Sequence, residues 1–187
     1  MQLQAAQGLS LIRIAFGLYF VVSGLRKTMT GWLSGSEGLT SFVQRNLEGP
    51  PTFYRGFLEG LVLPNADIFS QLVVVGEWVT GISLLFGVLT RVGAVVGMWL
   101  TLNYMLAKGL PNYDGSQDRL FFVGCAVFAV TAAGLMWGLD GALRPYLAST
   151  ALGRWLTGVP SRAPYRAPQA MPQGHRIGDE PARRRAA

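Results

Sequence analysis

The chain has 187 residues, of which half are hydrophobic and 14% are charged, whereas a typical soluble domain has ~25% charged residues. Its mean hydropathy is +0.32 and its formal net charge is +6, a balance that favours an integral membrane protein over a soluble one. The single cysteine, Cys125, excludes an intramolecular disulfide, a CxxC redox pair and a cysteine-ligated iron–sulfur cluster within this chain.

Four apolar runs follow one another along the chain, each close to the ~20 residues that cross a bilayer core as a helix. They are Leu9–Leu25, Ile68–Leu89, Val92–Ala107 and Leu120–Leu139. The predicted fold is an all-α membrane protein, a four-transmembrane-helix bundle over residues 1–145 with helices at about 9–25, 68–89, 92–107 and 120–139. A soluble all-α core is the alternative, but runs this long and this poor in charge rarely recur in soluble bundles.

The first run is interpreted as a retained helix rather than a signal peptide. No basic segment precedes it, Arg13 interrupts the apolar stretch, and Ser23–Lys27 is a poor cleavage site. A retained first helix places Arg13 inside the bilayer.

The longest loop, residues 28–66, has a helical pattern of its own. Apolar residues recur at helical spacing in two stretches, which Gly49-Pro50-Pro51 separates. We expect two short interfacial helices that lie on the outer membrane surface as a cap. An ordinary structured loop without the function of a lid is the alternative.

Two charged residues interrupt the apolar runs, Arg13 in the first and Glu77 in the second. A charge in hydrocarbon costs at least a few kcal/mol and normally faces the bundle interior or a polar cavity. At 1.5 Å per residue both charges fall near mid-membrane on neighbouring helices, so the sequence predicts that they pair. The pair is either a lock between helices or part of a polar site, where Arg13 binds a quinone carbonyl or an anion and Glu77 carries a proton.

Further polar and aromatic side chains lie toward the outer side of the predicted bundle. The candidate catalytic residues are Arg13 and Glu77, and the candidates for a quinone pocket are Lys27, Trp78, Trp99 and Asn103. The alternative is that the asparagine only joins helices and the mouth charges are solvated. The sequence has no metal motif, phosphate loop or dinucleotide fingerprint, so we expect no metal, flavin or haem site. Quinone is a possible cofactor, because the intramembrane charges could bind its oxygen atoms.

Beyond Gly141 the composition shifts to proline, arginine and alanine. Residues 146–187 are predicted to form a disordered basic tail, with a short interfacial helix over Leu147–Leu156. Because four spans put both termini on one side, the arginines there predict that both are cytoplasmic, in a multi-pass protein of a bacterial or archaeal cytoplasmic membrane. Anionic lipid headgroups explain the basic tail more simply than nucleic acid does.

Two parts of the chain give it a family resemblance. Leu11–Arg13 and Ser23–Lys27 resemble the first helix of the DoxX family, and Gly76-Glu77 with Leu84–Arg91 resembles its second-helix signature, a Gly-Glu helix that ends in Gly-x-x-Thr-Arg. Within that family the chain is similar to the DoxD-type subunit of thiosulfate:quinone oxidoreductase. The resemblance implies a four-helix integral membrane protein linked to quinone reduction, with electrons from a reduced sulfur compound.

The residues and the resemblance together predict a membrane subunit of a quinone-linked oxidoreductase. Because the chain has no evident site for flavin, haem or a cluster, electron transfer needs either quinone alone or a partner subunit. One alternative is a non-catalytic accessory subunit of a larger respiratory or photosynthetic complex. A second is a small transporter or channel, which four short helices without an inverted repeat or broken helices disfavour. The expected partners are the lipid bilayer and other membrane or redox subunits.

Overall fold

A computed structural model describes residues 2–109, 116–131, 133–147 and 149–157. These residues form helices and loops with no strand among them, which confirms the all-α prediction. The helices are α1 (Gln2–Met29), α2 (Glu37–Arg45), α3 (Thr52–Phe57), α4 (Ala66–Phe86), α5 (Thr90–Lys108), α6 (Ser116–Val130), α7 (Leu139–Leu147) and α8 (Ala151–Thr157). From residue 158 onward the predicted tail lies outside the described residues.

Two helical segments of the described chain are long and apolar enough to cross a membrane, Gln4–Met29 and Thr52–Phe86. The first lies within α1, which begins well before the predicted start at Leu9. The second joins α3 to α4 through a π-helical turn, Leu58–Val62, and a short 3-10 turn. The chain therefore runs from the first loop into α4 on a nearly continuous helical path.

Helices α1 and α4 pack closely in antiparallel directions because glycines stand at their contact. A Cβ on Gly17 would collide with the backbone of Leu85, and one on Gly81 would lie 2.7 Å from the backbone nitrogen of Val21. These close approaches leave little freedom to slide one helix along the other. They therefore fix the register that decides which side chains of α1 and α4 lie at the same level.

A tight turn connects α4 to α5. Gly87 adopts a left-handed conformation (φ 63°) that suits glycine, and Leu89 is left-handed as well (φ 49°). The Ser83 hydroxyl donates hydrogen bonds to the carbonyl oxygens of Val88 (2.6 Å) and Leu89 (3.0 Å), and Gly93 on α5 packs directly against that serine. The small residues thus allow α4 and α5 to form a close antiparallel hairpin.

Helix α6 packs against α1 and α5 through an aromatic core. Phe16 on α1 makes edge-to-face contacts with Phe121 and Phe128, at 4.6 and 5.4 Å between ring centroids. Phe128 and the adjacent Cys125 are fully buried in this core. Helices α1, α4, α5 and α6 thus enclose one apolar interior.

The prediction that the fourth long helix continues to Leu139 is wrong, because α6 ends at Val130. Ser10 and Arg13 of α1 donate hydrogen bonds, at 2.9 and 3.0 Å, to the carbonyl oxygens of Met136 and Trp137 in the loop over residues 133–138. Side chains of α1 therefore satisfy carbonyl groups that a longer helix would have satisfied within itself.

A cap of α2, α3 and the π-helical turn covers the ends of α4 and α5 that lie far from their connecting turn. Its apolar residues form a second core with both helices, and the buried members are Leu39, Val43, Tyr54, Leu58, Val62, Ala66 and Ala107. The Ser70 hydroxyl donates to the carbonyl oxygen of Trp32 at 2.7 Å, which fastens the segment before the cap to α4. The cap is therefore a packed part of the fold.

Candidate functional site

A cavity of about 460 Å³ lies between the cap and helices α1, α4 and α5. Its volume is within the ~300–1,000 Å³ of small-molecule sites. Most of its lining is apolar, and the cap and the bundle both contribute aromatic rings, among them Trp32, Phe42, Tyr54, Phe57, Trp99 and Tyr104. Such a cavity suits a flat, largely apolar ligand.

Glu77 is the centre of a polar cluster in the wall of this cavity. Its side chain is 2% exposed, and its Oε1 accepts hydrogen bonds from the Tyr104 hydroxyl (2.8 Å), the Ser23 hydroxyl (3.0 Å) and the Lys27 ammonium. Its Oε2 is buried, and no described residue donates a hydrogen bond to it. We call Ser23, Lys27, Glu77 and Tyr104 the Glu77 cluster.

The sequence places the donors of the Glu77 cluster by simple helical geometry. Ser23 and Lys27 are one turn apart on α1 and therefore share a face. Between them Gly24 meets α4, and a Cβ on it would lie 3.5 Å from the Cβ of Glu77. This close approach lets the side chains of Ser23 and Lys27 on α1 reach the carboxylate of Glu77 on α4.

The two charged side chains of the cluster form an ion pair, and the cationic one also contacts aromatic rings. Lys27 and Glu77 form an ion pair, and the Lys27 ammonium lies 5.1 Å from the ring centroid of Tyr104 and 5.2 Å from that of Trp32. Both distances are within the range of cation–π attraction. The cluster thus presents a cationic donor, a carboxylate and a phenol at one place in an apolar cavity.

The cap and α5 are joined across the cavity by hydrogen bonds. The Tyr54 hydroxyl donates to Asn103 Oδ1 at 2.8 Å, and Asn103 Nδ2 donates to the carbonyl oxygen of Trp99 at 2.7 Å. Near the end of α5, Lys108 forms an ion pair with Asp118 of α6 at 2.7 Å. Both charged residues line the cavity, so this part of its wall is polar.

The structure brings together most, but not all, of the residues proposed for a quinone pocket. Lys27, Glu77, Trp99 and Asn103 line the cavity. Trp78 lies outside it, in a shallow apolar groove along α4 and α5. The Trp78 indole donates to the Thr28 hydroxyl at 3.1 Å, which ties α4 to α1.

The predicted pairing of Arg13 with Glu77 is wrong. Fourteen residues of α1 separate Arg13 from Lys27, the residue that does pair with Glu77, and this is about 21 Å along the helix axis. The error is one of register: Gly17 of α1 packs against Leu85 of α4, so Arg13 lies level with the α4–α5 turn and not with the middle of α4. There Arg13 is fully buried and donates to the carbonyl oxygen of Trp137.

Arg13 belongs to a second polar group, at the opposite end of the bundle from the cap. The Asp140 carboxylate interacts electrostatically with Arg13 and accepts hydrogen bonds from the backbone N–H groups of Leu89 (2.7 Å) and Thr90 (3.0 Å). The N–H of Asp140 donates to the carbonyl oxygen of Gly87 at 2.7 Å. We call these five residues the Asp140 cluster. It caps the start of α5 and holds three parts of the chain together.

Sequence reasoning did not select Ser23, Tyr104 or Asp140 for either cluster. Ser23 could have been found from its position one turn before Lys27, because residues with that spacing lie on the same face of a helix. Tyr104 follows Asn103 directly, but nothing in its position says that it faces Glu77. Asp140 follows a long apolar run, and its partners are backbone groups that no sequence pattern identifies.

The comparisons with known proteins bear on this geometry. No curated protein and no solved structure matches the chain. The family model described as DoxX matches residues 8–108, which is more than half of the chain and contains the whole Glu77 cluster. The chain is accordingly a membrane protein that belongs to the DoxX family.

Proposed function

We propose that the chain is a membrane subunit of a quinone-linked oxidoreductase and that its cavity holds the quinone head. The observation that carries the proposal is the Glu77 cluster in the wall of an otherwise largely apolar cavity of about 460 Å³. A quinone ring is flat and apolar with oxygen atoms at its edge, which suits aromatic walls and a few polar groups at one place. Membership of the DoxX family supports the membrane setting.

Three members of the cluster, Lys27, Glu77 and Tyr104, have a role in the proposal. Lys27 donates a hydrogen bond to a ring oxygen, and the rings of Trp32 and Tyr104 hold its ammonium at the cavity wall. Glu77 orients Lys27, and with Tyr104 it forms a hydrogen-bonded pair through which a proton can move. Bound quinone supplies a two-electron, two-proton acceptor.

The proposal includes the membrane arrangement that the sequence predicts. In it α1, α4, α5 and α6 span a bacterial or archaeal cytoplasmic membrane with both termini in the cytoplasm, and the cap faces outward. Exposed Trp137, Tyr146 and Trp155 at the end away from the cap support it, because such rings favour the headgroup level. A partner subunit supplies the electrons, from thiosulfate or another reduced sulfur compound if the chain is of the DoxD type.

The proposal is tested by quinone binding to the purified protein in lipid nanodiscs. Wild type and Lys27→Met are titrated with decylubiquinone while tryptophan fluorescence is followed, since Trp32 and Trp99 line the cavity. Loss of a hydrogen bond from a charged donor costs about 1.5–3 kcal/mol. We therefore expect Lys27→Met to bind at least about tenfold more weakly.

Arg26→Met is the matched control, because Arg26 is the adjacent cation on α1 and its side chain is exposed. It should bind decylubiquinone as wild type does. Tyr104→Phe tests the cluster without removing a charge. If wild type shows no saturable binding, the quinone site is excluded and the accessory-subunit interpretation is favoured.

A further inference from the structure

The hydrogen bonds to Glu77 are distributed very unevenly between its two oxygen atoms. All three donors of the cluster converge on Oε1. Oε2 is buried without a donor from any residue that the structure describes, although Glu77 is 1% exposed and lines the cavity. A buried carboxylate oxygen without a partner is costly. Because the terminal torsion of a glutamate side chain is broad, a small rotation brings Oε2 to the cavity wall, where a ligand that offers a donor gains affinity.

From this we infer that the cavity binds the reduced, hydroxyl-bearing form of its ligand, a quinol, more tightly than the oxidised quinone. The inference rests on the proposed function, since it concerns the same cavity. A carboxylate oxygen accepts hydrogen bonds and does not donate them. The two ring oxygens of a quinone also accept hydrogen bonds without donating any, so neither of them can supply the hydrogen bond that Oε2 lacks.

A quinol satisfies both charged groups of the cluster with one hydroxyl. Its O–H donates to Glu77 Oε2, while its oxygen accepts a hydrogen bond from Lys27. The quinone keeps only the bond from Lys27 and places a second acceptor beside the carboxylate. One additional hydrogen bond to a charged group corresponds to a preference of about tenfold or more for the quinol.

This preference has a direction for redox chemistry. Tighter binding of the reduced form raises the reduction potential of the bound couple, by about 30 mV for each tenfold in a two-electron couple. In the balanced reaction, quinone takes up two electrons and two protons to become quinol, and the electrons come from the donor oxidised by the partner subunit. The cavity therefore favours quinone reduction over quinol oxidation.

The test compares two ligands that differ by two hydrogen atoms. Wild-type protein in nanodiscs is titrated anaerobically with decylubiquinol and, separately, with decylubiquinone. We expect a dissociation constant at least about tenfold lower for the quinol. Equal constants would overturn the inference and leave the proposed quinone site standing, whereas absence of binding by either form would remove both.

The variant Glu77→Gln tests the atom that is named. An amide N–H in the place of Oε2 donates to a quinone carbonyl, so the preference should disappear or reverse toward decylubiquinone. Glu59→Gln is the control, because Glu59 is exposed on the cap and the same change there should keep the quinol preference. A retained preference in Glu77→Gln would overturn the inference, and if that variant does not fold, the ratio measured for wild type alone decides.

Discussion

Replacing Asp140 with alanine should open the end of the bundle away from the cap. Asp140 is 1% exposed, and its carboxylate accepts the backbone N–H groups of Leu89 and Thr90 at 2.7 and 3.0 Å. Alanine leaves both N–H groups without their acceptor at the first turn of α5. It also removes the negative charge that faces the buried Arg13.

The magnitude follows from these contacts. A buried backbone donor without a partner costs about 1–3 kcal/mol, and two such donors, the N–H groups of Leu89 and Thr90, lose their acceptor here. For the two donors together, which share one carboxylate, we expect a loss of about 4 kcal/mol in the free energy of opening. At 1.4 kcal/mol per factor of ten, the open population rises about a thousandfold.

Cys125 provides the assay. It is the single cysteine of the chain and is fully buried between the helices, so a maleimide labels it only when the bundle opens. The labelling rate of Asp140→Ala in detergent should exceed that of wild type by about the same thousandfold factor. The control is Asp67→Ala, since Asp67 is exposed on α4.

A labelling rate for Asp140→Ala as slow as that of Asp67→Ala would refute the reasoning, because the carboxylate would then hold nothing together. The double variant Arg13→Met with Asp140→Ala separates the two contributions. If the unpaired arginine is the larger cost, the double variant should label more slowly than Asp140→Ala alone.

Two further predictions concern helix packing and the cap. Gly81→Ala should weaken the α1–α4 contact and lower Tm, because its Cβ would lie 2.7 Å from a backbone nitrogen of α1. The control is Gly8→Ala, where nothing lies within 4 Å of the added Cβ, and this variant should keep or raise Tm. Equal Tm values for the two variants would show that the α1–α4 contact is not tight. Tyr54→Phe removes the 2.8 Å hydrogen bond to Asn103, worth about 1 kcal/mol, so limited proteolysis of the cap should be about fivefold faster than in wild type. The exposed control Tyr146→Phe should leave that rate unchanged, and a Tyr54→Phe rate equal to it would mean that the bond does not hold the cap.

The sequence identified the important charge on α4 but assigned it the wrong partner. A charged glutamate within a membrane helix costs free energy, so Glu77 could be recognised from the apolar run that surrounds it. Its partner depends on how α1 and α4 are aligned along their axes, and hydropathy locates a helix end only to within a few residues. Arg13 lies fourteen positions before Lys27 on α1, about 21 Å along the axis, so the predicted alignment of α1 with α4 was wrong by that distance.

The fourth helix shows the same limit from a different cause. The apolar run from Leu120 to Leu139 has the length of a span, yet α6 ends at Val130. The residues that follow have carbonyl groups to which Ser10 and Arg13 donate. These donors lie near the other end of the chain, so no local sequence pattern could have predicted that α6 ends at Val130.

The sequence by itself determined that the chain is helical and apolar and that two charged residues, Arg13 and Glu77, are buried. These properties follow from composition and helical periodicity, which are local. Only the tertiary structure decided that Lys27, Ser23 and Tyr104 meet at Glu77 while Arg13 joins Asp140 at the opposite end. The physical reason is helix register: glycine contacts such as those of Gly17 and Gly81 set it, and register emerges only when two helices pack together.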